Sequence, residues 1–258
     1  MRRLLLGLIV FAACTTSPPP VKHIPPNVTF QWVLSEPLVE TEAKVVDVDA
    51  FETTKEEVAR LKAQGKIVIG YISVGSWEEW RPDAQSFPPE VIGNPYPGWE
   101  GERFLNIKRL DLLAPIMEAR LDMIKEKGFD GVEPDNIDLY NYDTGFNITI
   151  EDSKRYLDWL IEQAHKRGLI IAQKNAPELA PYFASKADFM LLESGFVTQE
   201  YQQALIYIEK NKALIDVEYT DYWNISDFIS QVCPVARSHN ISVLLKRPEL
   251  DNWVVYCP

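Results

Sequence analysis

The chain has 258 residues, 46% of them hydrophobic, which is enough to bury one large core and too many for a low-complexity or disordered chain. Its 38 acidic residues outnumber 26 basic ones and leave a net charge of −12, which disfavours nucleic acid as a partner and favours a cationic one. Three histidines and three cysteines supply a histidine-based triad or a zinc site poorly.

The first residues read as an export signal. Arg2 and Arg3 precede "LLLGLIVFAA", an apolar run too short to span a bilayer, and "FAAC" follows at Cys14. This pattern is similar to a bacterial lipoprotein cleavage box, with Phe11 where such boxes usually carry Leu. Residues 1–13 are therefore expected as the signal and Cys14 as the lipidation site, with plain secretion as the other reading. Residues 14–27, "CTTSPPPVKHIPPN", read as a Pro-rich tether, and 28–258 as one folded domain. The expected location is the cell envelope or the exterior, with membrane contact only through the N-terminal lipid.

Eight short apolar, β-branched runs follow, at 29–35, 44–50, 66–75, 129–135, 169–175, 188–194, 213–219 and 241–247. Helical patterns lie between most of them. "TKEEVARLKAQGK" ends on a Gly stop, "LLAPIMEARLDMIKEKGFD" repeats that ending, and "TIEDSKRYLDWLIEQAHKRGL" opens on Thr149 as an N-cap. "TQEYQQALIYIEKNKA" is expected as a fourth helix. Short strands alternating with helices over some 220 residues predict an α/β chain folded as a single-domain (β/α)8 TIM barrel. No Gly-rich phosphate loop follows the first strand, which counts against a dinucleotide fold. Residues 76–103, rich in Trp, Pro and Gly, are expected as a long loop after strand 3, with "FLNIK" (104–108) as a short extra strand or bridge.

In such a barrel the site gathers at the strand ends. Those ends carry Asp47 and Asp49, Tyr71 and Ser73, Asp135 and Asn136, Lys174 and Asn175, Glu193, Glu218 and Tyr219, and Lys246 and Arg247. Carboxylates without His or Cys suit glycoside hydrolysis, in which one acid protonates the leaving oxygen and the other attacks carbon or activates water. Bland readings stand beside these: Asp135 as a helix cap, Asp47 and Asp49 as solvated turn acids, Glu133 paired with Lys174, Glu218 paired with Lys246 or Arg247. Trp77, Trp80 and Trp99 either pack the long loop or, with Tyr71 and Tyr219, floor a sugar groove. "DNID" lacks the Gly and the distal Glu of a calcium loop, so no metal and no cofactor is expected. In an exported protein the pair Cys233 and Cys257 suggests a disulfide.

"GKIVIGYISVGSWEEWRPDA", "GFDGVEPDNID", "AHKRGLIIAQKN", "LLESGF" and "VEY" resemble, in order, the motifs of glycoside hydrolase family 114, the endo-α-1,4-polygalactosaminidases and related proteins. The resemblance runs from about Phe30 to Cys257, and Cys233 and Cys257 resemble the family's paired cysteines. It implies a TIM-barrel retaining glycosidase acting on an α-1,4-linked galactosamine polymer. By position it implies Asp135 as nucleophile and Glu193 as acid/base. Asp47, Tyr71, Asn136, Lys174 and Glu218 would line the substrate cleft, with Tyr219 and Trp77 as stacking partners. The expected partner is a cationic polysaccharide and the expected state a monomer. Two departures bear on substrate preference: "ESGF" (193–196) stands where the family often reads "EQCF", and "LNIK" where it often reads "LDIR". Two alternatives remain beside this one: a non-catalytic carbohydrate-binding lipoprotein on the same barrel, and a barrel glycosidase acting on another amino sugar.

Overall fold

The computed structural model describes residues 23–258, so the expected signal 1–13, Cys14 and most of the tether lie outside the described residues. Ile24, inside the stretch read as tether, is fully buried, and its carbonyl accepts from the Ala213 N–H at 2.7 Å. That part of the segment is docked on the domain.

The strands, in chain order, are β1 (Phe30–Val33), β2 (Val45–Asp49), β3 (Ile67–Ser73), β4 (Ser76–Glu78), β5 (Ile92–Pro95), β6 (Glu102–Leu105), β7 (Gly131–Asp135), β8 (Ile170–Lys174), β9 (Phe189–Glu193), β10 (Leu214–Tyr219), β11 (Ser242–Lys246) and β12 (Val255–Tyr256). Eight of them pair in parallel in the order β1-β2-β3-β7-β8-β9-β10-β11, one for each run expected from the sequence. This is the α/β barrel, with helices outside.

Alternation along each strand builds two layers. One row of side chains, including Val46, Val68, Ile72, Val132, Ile171, Leu192 and Leu245, packs outward under the helices. The other row faces inward and changes character along its length. It runs Ile67, Ile69, Tyr71 in β3, Ile170, Ala172, Lys174 in β8, Phe189, Leu191, Glu193 in β9, and Ile215, Val217, Tyr219 in β10. The apolar half plugs the barrel, and the polar half collects at the C-terminal ends of the strands.

Helix α1 (Lys55–Ala63) starts at a Thr54–Glu57 capping box, and α2 (Leu110–Lys127) stops at Gly128, whose φ of 91° favours glycine. Helix α3 (Ile150–Lys166) is capped by Thr149, which forms a box with Asp152. The fourth expected helix is instead three short turns, Gly195–Thr198, Tyr201–Ala204 and Ile206–Glu209. Gln199 interrupts it at φ 64°, and Asp216 and Glu218 hold the Gly195 and Phe196 N–H groups against β10.

The stretch expected as a long loop carries a small antiparallel sheet, β4-β6-β5. Arg81 and Arg120 fasten it to the barrel. Arg81 bonds Glu78 and Asp49, and Arg120 bonds Asp83 and the Ser73 carbonyl, while both guanidinium groups lie over the Phe51 ring. Asp49 thus serves an internal ion pair and caps the Phe51 and Glu52 N–H groups.

Among the described residues β1 and β11 share no ladder. β12 pairs antiparallel with β11, the Leu34 N–H donates to the Leu250 carbonyl at 2.9 Å, and Gln31 Nε2 donates to the Asn252 carbonyl at 2.9 Å. Residues 250–256 therefore fill the seam, and the Cys233–Cys257 disulfide ties this tail to the last helix.

Candidate active site

Lys174 is the centre of the polar half. Its Nζ lies 2.7 Å from Glu133 Oε1, 3.1 Å from Asp135 Oδ1 and 3.2 Å from Glu193 Oε2, and 4.6 Å from the centroid of the Trp32 ring. Burial opposes a charge here, but the carboxylates of Asp135, Glu133 and Glu193 outweigh it and hold the ammonium well above the ordinary lysine range. The lysine stays charged and, from β8, organises three acids of the two flanking strands, β7 and β9.

The acids differ in access. The side chains of Asp135 and Glu193 are 19% and 29% exposed, whereas Glu133 is fully buried, as is Asp47 beneath it. Only the first two can touch a ligand. Burial, and then the charge of Glu133, push the Asp47 carboxyl well above the usual carboxylate range. Neither Asp47 oxygen has an N–H or O–H partner, and nor does Glu133 Oε2, so a proton on Asp47 donated to Glu133 pairs one oxygen of each. Burial also pushes Glu133 up to about 7, with Lys174 opposing.

Asp135 accepts from Tyr71 Oη at 3.0 Å, from Lys174 and from the Asn136 N–H at 2.9 Å. Burial and the charge of Asp135 keep the Tyr71 phenol well above its usual value, so it remains a donor. Asn136 sits at φ 65°, in the left-handed region that asparagine tolerates. Its Nδ2 donates to Ser73 Oγ at 2.9 Å, and its Oδ1 accepts from Tyr96 Oη at 3.0 Å. Glu193 accepts from Tyr219 Oη at 2.5 Å and from Asn175 Nδ2 at 3.1 Å, and its own N–H donates to Asn175 Oδ1 at 3.0 Å. Burial works against charge on Glu193, but Lys174, Tyr219 and Asn175 prevail and hold the carboxyl below the ordinary range. A cavity of about 380 Å³ opens beside Glu193 and Asn175, walled by Asp138, Glu178 and Glu200. Burial, then Asp135, push Asp138 up to about 6.

Sequence reasoning grouped Asp135, Glu193, Tyr71, Tyr219, Asn136 and Lys174, and the structure brings these six together. Two residues expected to line the cleft do not. Glu218 is fully buried in the outward row, where it accepts from the Phe196 N–H at 2.7 Å and from Trp223 Nε1 at 2.5 Å. It is one residue from Tyr219, so the two must face opposite sides of the sheet. Its expected pairing with Lys246 or Arg247 is replaced by those bonds. Asp47 faces inward but lies one layer too deep. Trp77 is half-buried on β4, with Nε1 donating to the Ala84 carbonyl at 3.0 Å, away from the lysine. Asn175 and Tyr96 are the contributors whose role the sequence did not reveal, since Tyr96 comes from the β5–β6 turn.

Gly75 fixes the approach of this wall. A Cβ there would lie 1.7 Å from the Asn136 carbonyl oxygen, a backbone atom that cannot swing away. Gly75→Ala should push Asn136 and Asp135 off the lysine, costing about 1–3 kcal/mol of stability in chemical denaturation.

The profile of the family described as glycoside-hydrolase family GH114 matches residues 12–258. The crystal structure of Aspergillus fumigatus Ega3 in complex with galactosamine is similar, with a TM-score of 0.85 and 32% identity over 93% of this chain and 99% of that one. The glycoside hydrolase domain of PelA from Pseudomonas aeruginosa shares the fold, with a TM-score of 0.69 at 15% identity over 89% of this chain and 98% of that one. An uncharacterized protein of Methanocaldococcus jannaschii is 29% identical over 141 residues, which is 50% of this chain and 40% of that protein's length. The match of the family profile across almost the whole sequence settles the classification: this chain belongs to glycoside-hydrolase family GH114.

Proposed function

We propose that the protein is an exported glycosidase that cleaves α-1,4-linked galactosamine-containing polysaccharide by a retaining, two-carboxylate mechanism. The observation that carries this reading is the shared lysine. Oxygens of Asp135 and Glu193 lie 3.1 and 3.2 Å from one Nζ, so they are separated by at most roughly 6 Å. A single ammonium bridging both carboxylates holds them close, which suits direct attack by one of them on carbon better than the wider gap that admits a water in inverting enzymes.

Asp135 receives three donors and is the nucleophile. Its oxygen bonds the anomeric carbon while the glycosidic oxygen departs with a proton from Glu193. Water then attacks the same carbon, returns a proton to Glu193, and the ester bond to Asp135 breaks. Glu193 is held ionised in the free protein, as the second step requires of a base. A sugar laid over its exposed edge deepens its burial, and burial is the influence that raises its affinity for the proton needed in the first step.

Substrate class follows from charge. The protein carries −12, and Asp138, Glu178 and Glu200 surround the space beside Glu193, which suits a chain of ammonium-bearing sugars. The Ega3 structure, 32% identical, holds galactosamine. The charged start and short apolar run before Cys14 are the pattern of an export signal, and the Cys233–Cys257 bond suits an oxidising compartment. The test is incubation with de-N-acetylated galactosaminogalactan, with the first-formed product followed by NMR. Oligosaccharides bearing an α reducing end are expected. A β reducing end would overturn retention, and no release would overturn the reaction.

A further inference from the structure

Four consecutive residues of β10 fasten the end of β9 and the turn behind it. Asp216 Oδ1 accepts from the Gly195 N–H at 3.0 Å, the Val217 carbonyl from the Ser194 N–H at 2.9 Å, and Glu218 Oε1 from the Phe196 N–H at 2.7 Å, while Tyr219 Oη donates to Glu193 itself. Three successive amides behind Glu193 are thus held, and so is its carboxylate. Two of the four holders are acids of the outward row. In the strand register Asp216 lies beside Leu192 and Glu218 beside Leu245, so each acid stands among apolar neighbours under the short helical turns.

Such acids work against folding. Both are fully buried, and a carboxylate in that setting costs stability unless donors surround it. Glu218 meets the Phe196 N–H with one oxygen and Trp223 Nε1 with the other, and these donors oppose the upward push of burial on its carboxyl. Asp216 is worse placed. Its Oδ2 has no hydrogen-bond partner among the described residues, and burial, then the charge of Glu218, push its carboxyl well above the usual range. A leucine in either place would carry no such cost, so what the two acids supply is the placement of the turn. Gly195 completes the fit, since a Cβ there would lie 2.6 Å from Asp216 Oδ2 and 2.4 Å from Leu192 Cδ2.

We propose that Glu218 and Asp216 are positioning residues of the reaction: by pinning the turn after β9 they hold the Glu193 carboxyl at the leaving oxygen, so that their loss impairs protonation of the leaving group and spares attack on carbon. The inference rests on the acid role given to Glu193 above and extends it. Neither residue meets the sugar, because both side chains face away from the barrel interior. Asp135 is held from β3 and β8 by Tyr71 and Lys174, so a slackened β9 turn displaces the acid and leaves the nucleophile in place.

The leaving group separates placement from packing. Cleavage of a de-N-acetylated α-1,4-galactosamine oligomer needs a proton on the departing sugar oxygen, whereas the para-nitrophenyl α-glycoside of the same oligomer releases a phenolate that needs none. The quantity to read is kcat/KM, which reports formation of the bond to Asp135 and not its later hydrolysis. Glu218→Gln should lower it about 10- to 100-fold on the oligomer and less than about 3-fold on the aryl glycoside, the selectivity of Glu193→Gln in milder form. Trp223→Phe, which keeps both carboxylates and removes one donor to Glu218, should show the same selectivity at about 3- to 10-fold, and it carries the test if Glu218→Gln does not fold. Equal losses on the two substrates, or none on the oligomer, would overturn the positioning role and leave the reaction standing. A parent protein that cleaves neither substrate, or a Glu193→Gln protein without this selectivity, would overturn the role given to Glu193 and this inference with it.

Discussion

Asp135→Asn should lower turnover of the galactosamine polymer by about 10³-fold or more while leaving the thermal midpoint nearly unchanged. The asparagine fits the same bonds. Its carbonyl oxygen keeps Lys174 and the Asn136 N–H, and its amide group faces Tyr71, whose hydroxyl turns to accept. Lys174 still has Glu133 and Glu193 as counter-charges. What disappears is the oxygen proposed to bond carbon. Glu193→Gln should be as severe, with its amide toward Tyr219 and its oxygen toward Lys174 and Asn175. Added azide distinguishes the roles on a substrate with a good leaving group: it should give a product of inverted configuration in the variant lacking the nucleophile and of retained configuration in the one lacking the acid/base. Steady-state turnover within a few-fold of the parent in either variant would remove that residue from the mechanism.

Lys174→Met should cost about 3–5 kcal/mol at neutral pH, because it strips the central positive charge from a cluster of buried acids. Methionine fills much of the same volume against Trp32, so the loss is electrostatic and not a cavity. The pH dependence gives the claim its edge. In the parent the lysine's folded value is raised, so its contribution is complete below the ordinary lysine value and fades only as pH rises through the raised one. Glu133 behaves in the opposite setting. It is raised to about 7, so the folded state holds its proton more tightly than the unfolded chain, and stability drains as pH climbs from ordinary glutamate values toward 7. Without Lys174 that drain deepens, and the difference between variant and parent should shrink in acid. Urea unfolding at pH 5 and pH 8 measures both arms. A pH-independent difference would show that the lysine acts by packing alone.

How much of this was legible in the sequence follows from the two side-chain rows. The eight barrel strands announced themselves because their outward and lower inward positions are apolar and β-branched, as in "KIVIGYIS" and "DFMLLES". The polar switch at the ends of the inward rows of β3 and β7–β10 puts Tyr71, Asp135, Lys174, Glu193 and Tyr219 on one rim from the sequence alone. Adjacent polar residues at a strand end blurred the facing, and Glu218 was assigned to the cleft although Tyr219 occupies that face. Depth was invisible too, since nothing in "KVVDVDA" tells Asp47, under the lysine, from Asp49, bound to Arg81. The insertion after β3 hid its sheet because strands of three or four residues, interrupted by Pro and Gly, carry little periodicity. The helix expected over 198–213 is interrupted at Gln199, whose φ of 64° no local pattern reports, and continues only as the short turns Tyr201–Ala204 and Ile206–Glu209.

The seam gives the order of assembly a physical limit. Ribosomal synthesis runs from β1 to β11, yet the gap between those two strands is bridged by residues 250–256. A nascent chain can stack every parallel strand and still present an open cleft in its wall, with the Leu34 amide and the Gln31 carboxamide facing water. Closure waits for the tail, and the cysteine bond then locks it shut like a clasp.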